Sequence, residues 1–236
     1  MDKQDLRERI WDHLEAEGIA RFPFPPHDRI PNFAGAEDAA DRLAETEAWQ
    51  SAESIKANPD APQLPVRRRA LREGKPVYMA VPRLRDAKPF YELDPGEIPP
   101  EEYDSAPTIS HVEEYARQVG PEEVTSIDLV VSGSVAVTET GARVGKGEGY
   151  SDLEYAVLRE LELVSEQTPI ATTVHDAQVV TEEVEIEAHD VPMDLVVTPN
   201  EMIRTGTKFE RPAGVFWDAL SDERIAEIPV LETRQP

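Results

Sequence analysis

The chain has 236 residues, enough to bury one sizeable core, and its 39% hydrophobic and 31% charged composition is that of a folded protein. Its 48 acidic side chains against 24 basic ones give a formal net charge of -24, a field that excludes nucleic acid and anionic membrane as general partners. With no cysteine, disulfides, thiolate metal sites and a cysteine nucleophile are excluded as well.

Leu6, Ile10 and Leu14 recur at helical spacing between charged neighbours, and Gly18 follows as a stop, so the first element is predicted to be an amphipathic helix. The N-terminus lacks a signal-peptide apolar stretch, and no window approaches the roughly 20 apolar residues of a membrane span. The expectation is a soluble, cytoplasmic protein. Pro23-Phe24-Pro25-Pro26 is too proline-rich for regular structure and predicts an extended connector. Residues 36–56 are rich in Ala, Glu and Leu and read as helix, ending before Asn58-Pro59-Asp60. Val66 to Glu73 reads as a short basic helix closed by Gly74.

Beyond it the pattern turns to strands. Val77 to Val81 is a buried-strand run ended by Pro82, and Pro89 to Leu93 is a shorter candidate. Residues 94–107 carry Pro95, Pro99, Pro100 and Pro107 and read as a surface loop. Ile127 to Val131 and Val135 to Val137 are apolar runs split by Ser132-Gly133-Ser134. A glycine-rich loop follows, then a helix from about Asp152 to Val164, and strands at Pro169 to Val174 and Leu195 to Thr198. Val215-Phe216-Trp217 and Ile228, Val230 and Leu231 can return to pack on the core. Short apolar strands alternating with helices predict a single Rossmann-like α/β domain over residues 1–236, its mostly parallel sheet flanked by helices. Residues 1–65 form a helical N-terminal wrap and residues 205–236 a C-terminal extension.

The segment Gly141-Ala142-Arg143-Val144-Gly145-Lys146-Gly147-Glu148-Gly149-Tyr150-Ser151-Asp152 concentrates the chemistry. Glycine at 141, 145, 147 and 149 lets backbone N–H groups approach an anion without Cβ interference. The loop lies between a strand and a helix, so free N–H groups and the helix dipole face the same anion. Arg143 and Lys146 add full positive charges, and Asp152 is placed to hold magnesium. The pattern is neither a P-loop, which needs Gly-Lys-Ser/Thr, nor a clean dinucleotide fingerprint. Arg67-Arg68-Arg69 with Arg72 is the one dense basic patch elsewhere; it can receive phosphates or a glutamate tail, or pair with nearby carboxylates. His175-Asp176 and His189-Asp190 lack a third ligand at a recognised spacing and read as structural hydrogen-bonding pairs. Serine-hydrolase and zinc-protease signatures are absent from the sequence.

The glycine loop resembles the signature of the 5-formyltetrahydrofolate cyclo-ligase (methenyltetrahydrofolate synthetase) family, which runs Gly-x-Arg-Leu-Gly-Arg/Tyr-Gly-Lys/Gly-Gly-Tyr-Tyr-Asp. Four further blocks resemble that family in order: Lys3-x-x-Leu6-Arg7, Gly74-Lys75 leading to Pro82-Arg83, Ile127 to Val131, and His189-Asp190-x-Pro192-x-Asp194 with Thr198. Arg29-Ile30-Pro31-Asn32-Phe33-x-Gly35-Ala36 and Thr173-Val174-His175-Asp176-x-Gln178 are similar to the branch containing methenyltetrahydrofolate synthetase domain-containing proteins. The resemblance implies a NagB/RpiA/CoA-transferase-like fold and an ATP- and Mg2+-dependent ligase forming 5,10-methenyltetrahydrofolate, ADP and phosphate. It implies Lys3, Arg7, Gly141, Gly145, Lys146, Gly147, Gly149 and Tyr150 at the nucleotide, with Arg143 and Lys146 catalytic. It further implies Asp152 at the metal, with Tyr150, Arg67 and Arg68 at a folate substrate. Glu148 and Ser151 depart from the family pattern, which supports a second expectation: a non-catalytic, regulatory member that binds nucleotide or folate.

The acidic surface carries only Lys3, Lys56, Lys75, Lys88, Lys146 and Lys208 as lysines, the pattern of a salt-adapted protein. At molar salt the Debye length falls to roughly 3 Å and self-repulsion is screened. Melting followed by circular dichroism is therefore expected to show a Tm that rises steeply from dilute to molar potassium chloride.

Overall fold

The architecture is organised by one eight-stranded sheet, described in a computed structural model that covers residues 2–235. Its spatial order is Met202–Arg204, Leu195–Val197, Ile170–Thr173, Leu129–Val131, Ile55–Ala57, Val77–Ala80, Phe90–Leu93 and Arg117–Val119. The middle five strands are parallel to their neighbours, and antiparallel strands close both sides. The mostly parallel α/β sheet expected from the apolar runs is therefore what the chain builds.

Parallel strands need both faces covered, because their side chains alternate into two apolar layers. One layer joins Leu43, Trp49, Val66 and Leu71 from helices to Ile55, Val77, Leu129 and Val131. The other joins Tyr155, Val157 and Leu158 to Tyr78, Val130, Ile170 and Val196. Ile225, Ile228, Val230 and Leu231 of the C-terminal segment are buried in that second layer, with Val215 and Trp217 packed against it. The expected return of the tail to the core is thus present. Among the described residues no helix is long and apolar enough to cross a membrane.

The run expected as one helix over residues 36–56 divides into three elements. Helices occupy Ala36–Ala44 and Glu47–Ser51, and Ile55–Ala57 is the central strand of the sheet. Thr46 breaks the first helix by capping the second, its hydroxyl accepting from the Trp49 amide (3.2 Å). Ile55, Lys56 and Ala57 are then buried on both faces, and tertiary pairing overrides the helix-favouring composition. Val135 to Val137 also departs from expectation: Ala136–Thr138 pairs with Arg143–Val144 and Val179–Val180 in a separate three-stranded sheet.

The first helix, Lys3–Ala16, buries Leu6, Ile10, Trp11 and Leu14 against Val135, Ala136, Val144 and Val180 of that small sheet. Lys3 and Arg7 lie four residues apart on one helical face, so this docking sets both beside the glycine loop. Arg67 is buried within the Leu64–Arg72 helix and donates to the carbonyls of Asn58, Pro59, Asp60 and Pro107. It ties the turn after the central strand to the loop that precedes Val112.

Replacing Arg67 with Met leaves these carbonyls without a donor and is expected to cost about 3 kcal/mol or more. Arg68 is half-buried, bonded to the Asp104 carbonyl (2.8 Å), and Arg68→Met is expected to cost less than about 1 kcal/mol. Urea denaturation of the two variants measures the difference.

Candidate functional site

The order of the strands decides where a cleft can form. From the central strand Ile55–Ala57 the chain passes to Val77–Ala80 on one side, and later returns to Leu129–Val131 on the other. Segments leaving the carboxyl ends of such strands diverge and open a crevice at the switch point. Here a cavity of about 610 Å³ is lined by Asn58, Pro59 and Asp60 from one segment and Gly133 from the other. The Arg143–Asp152 loop and the N-terminal helix complete its wall.

Within the loop, Gly147 (φ 103°) and Gly149 (φ 70°) hold left-handed backbone that a side chain would strain. Gly149 directly precedes the helix Tyr150–Glu160, and no side chain caps that helix's first amides. These amides and those of the loop therefore remain available for an anion. Arg7 Nε donates to the Gly145 carbonyl (2.7 Å) and Lys3 pairs with Asp190 (2.6 Å), which pins the N-terminal helix to the loop. Arg143 is buried, reaches Asp152 at 3.5 Å, and leaves its Nε without a partner. Burial, and secondarily Arg143, pull the Arg7 guanidinium below its usual range, opposed by Asp2 and Asp190.

Lys3, Arg7, Arg143, Gly145, Lys146, Gly147, Gly149, Tyr150 and Asp152 all line the cleft. Gly141 does not. It makes the turn between two strands of the small sheet, and its carbonyl accepts from the Met193 amide (2.9 Å). Arg67 and Arg68 do not line the cleft either, because backbone carbonyls occupy the first and Asp104 the second. Lys146 forms an ion pair with Glu148 (2.8 Å), so the unusual carboxylate of the loop lies on the loop's own lysine. Ser151 accepts from Asn58 Nδ2 (3.2 Å) and links the loop helix to the turn beneath it. His175 and Asp176 serve loop structure: the ring accepts from the Ala177 amide, and the carboxylate accepts from Thr198 and Asn200.

Three groups at the site carry no motif. Arg224, from the C-terminal segment, lies 4.0 Å over the Tyr150 ring and donates to its hydroxyl (2.8 Å). Asp60 lines the cleft and its carboxyl is pushed up by burial, a shift that Lys146, Arg67, Lys56 and Arg143 oppose. Glu154 lies one helical turn beyond Tyr150 and also lines the cleft. A lysine inside an apolar three-residue run, Ile55-Lys56-Ala57, is the one sequence signal that a buried carboxylate stands opposite.

The geometry is that of an α/β protein with a glycine-rich loop carrying Arg143 and Lys146 on the wall of a partly apolar cleft. Residues 1–199 match the 5-formyltetrahydrofolate cyclo-ligase family. The chain is 42% identical over 238 residues to a methenyltetrahydrofolate synthase domain-containing protein of Bos taurus, covering 99% of this chain and 62% of that protein. The Mus musculus protein of the same description is 43% identical over 236 residues, with 98% and 62% covered. The chain thus spans about three fifths of the length of these relatives. In fold it is similar to Aquifex aeolicus 5,10-methenyltetrahydrofolate synthetase, at a TM-score of 0.56 and 19% identity, covering 89% of this chain and 96% of that one. The protein belongs to the 5-formyltetrahydrofolate cyclo-ligase family.

Asp60 provides a pH test of the cleft. Because burial raises its folded pKa, the contribution of Asp60 to stability is complete below the usual aspartate value of 3.8 and is lost as pH rises through the folded value. Asp60→Asn is therefore expected to raise Tm at pH 7 to 8, with the advantage shrinking as the buffer is taken below pH 4. Calorimetry across that range measures the sign.

Proposed function

We propose that the cleft binds ATP and 5-formyltetrahydrofolate and forms 5,10-methenyltetrahydrofolate, ADP and phosphate. The observation that carries the reading is the buried, partnerless Nε of Arg143, set among Lys3, Arg7 and Lys146 in a chain of net charge -24. A buried guanidinium donor left unpaired beside three further cations and a glycine loop suits a polyanionic ligand.

The formyl oxygen of the substrate is a poor leaving group. Transfer of the terminal phosphoryl group onto that oxygen lets it depart as phosphate. N10 then bonds to the former formyl carbon, loses its proton and closes the ring. The protein's part is positioning and charge neutralisation. Lys3, Arg7 and the loop amides hold the triphosphate, while Arg143 and Lys146 offset the charge that moves with the phosphoryl group. Asp152 accepts one bond from the Val191 amide (3.1 Å) and only a long one from Arg143, so lone pairs remain for a magnesium ion. Magnesium would supply further neutralisation at the phosphates. Among the described residues no group of three or more His, Asp and Glu side chains is arranged for a metal.

A second reading, a non-catalytic nucleotide- or folate-binding member, is favoured by one observation. Glu148 already occupies Lys146. Both readings are tested by following the near-ultraviolet absorbance of the methenyl product at high salt. With 5-formyltetrahydrofolate and MgATP, ATP-dependent product is expected, and its absence with folded protein rejects the ligase reading. Lys146→Ala is expected to lower kcat/KM about tenfold or more. Glu148→Gln frees the lysine and is expected to lower KM for ATP by about two- to fivefold.

A further inference from the structure

A buried ion pair lies beneath the cleft. Lys56, on the central strand, and Glu154, on the loop helix, have side chains 1% and 5% exposed and meet at 2.9 Å between Nζ and Oε2. The lysine also donates to Asn58 Oδ1 (2.5 Å), and Asn58 donates to Ser151 Oγ (3.2 Å). Glu154 Oε1 is buried and has no partner, and Glu154 faces the cleft. Burying a carboxylate oxygen without a donor opposes folding, and an apolar pair of similar volume would fill the same space without that penalty. The unfilled position is thus open to a donor arriving with a ligand.

The surroundings define that donor. Burial and Asp60 push the Glu154 carboxyl up, but Lys56 at 2.9 Å opposes the shift, and the carboxylate held in that pair only accepts. Met79, Val81, Tyr91 and Val112 form the neighbouring wall and suit a flat apolar body. The cleft thus combines the cationic side chains of Lys3, Arg7, Arg143 and Lys146 with a buried carboxylate acceptor.

We propose that Glu154 Oε1 accepts an N–H of the ligand's aminopteridine ring, and that Lys56 is a positioning residue that holds the carboxylate in place for it. The proposal rests on the reading that the cleft binds a folate. Specificity then comes from a donor-seeking group that rejects rings presenting a carbonyl in the same place.

The test titrates pterin and its 2,4-dioxo analogue lumazine, which lacks the exocyclic amino donor, against the full chain at high salt, using the fluorescence of both rings. Wild-type protein is expected to prefer pterin by about tenfold or more. The double substitution Lys56→Met with Glu154→Leu is expected to abolish that preference while MgATP affinity stays within about twofold. Glu154→Gln, which keeps the shape, supplies a second variant. Its amide oxygen stays on Lys56, its amide nitrogen turns to the cleft, and the preference is expected to reverse toward lumazine. Folded variants that keep the wild-type ratio overturn the proposal. Methenyl product from a wild-type protein with no pterin preference overturns it too, and leaves the ligase reading standing. Pterin preference without methenyl product rejects the ligase reading and supports the anchor. A wild-type chain that binds neither pterin nor 5-formyltetrahydrofolate overturns both.

Discussion

Everything at the site follows from the way the chain leaves its central strand. Because Ile55–Ala57 is flanked by strands that the chain reaches on opposite excursions, the segments after its end and after Leu129–Val131 must separate. The gap has polar backbone on its rim and buried apolar strands beneath. Arg67 stabilises one side of it by gathering four backbone carbonyls, and Gln178 steadies the other by donating to the carbonyls of Ser134 and Val135. The glycine loop and the N-terminal helix then enclose an opening that the topology has already made.

Electrostatics acts on that opening at two ranges. Over the whole surface, 48 acidic side chains favour dispersal and disfavour anions. Inside the cleft, short pairings take over. Lys3 holds Asp190, Arg143 reaches Asp152 and Lys146 holds Glu148, so three of the four cleft cations have a carboxylate partner, while Arg7 is held by the Gly145 carbonyl. A polyanion entering the cleft competes with side chains already in place, and the partnerless Arg143 Nε is one donor it meets without displacing anything. Bulk salt weakens the exposed Lys146–Glu148 pair more than the buried Arg143–Asp152 contact.

The readable parts of this protein were those in which one local rule decides the outcome. The first helix, Lys3–Ala16, has a clear apolar face and a glycine stop, and it forms where its periodicity places it. The glycine loop carries its own conformational requirement, and its residues from Arg143 to Asp152 reach the cleft together. Residues 36–56 depart from their composition because Ala, Glu and Leu favour helix while Ile55–Ala57 is decided by neighbours more than 70 residues away at Leu129–Val131. For Arg67 the sequence leaves a ligand anion or nearby carboxylates as partners, whereas its actual partners are backbone carbonyls, which leave no trace in residue type. Asp60, Glu154 and Arg224 were missed for a related reason: each gains its role from a cross-chain neighbour. The block from Thr173 to Gln178 proves to be lacing, with Asp176 bonded to Thr198 and Asn200.

The stacking of Arg224 on Tyr150 joins two segments that are 74 residues apart. Arg224 also donates to the Glu148 carbonyl at 3.4 Å, while Ile225 beside it is buried in the core. The loop and the tail are consequently in thermodynamic linkage. Whatever free energy the docked tail contributes to ligand binding at the loop, a bound ligand contributes by the same amount to docking of the tail. The C-terminal segment thus buttresses, through Arg224 alone, a cleft lined by none of its own residues.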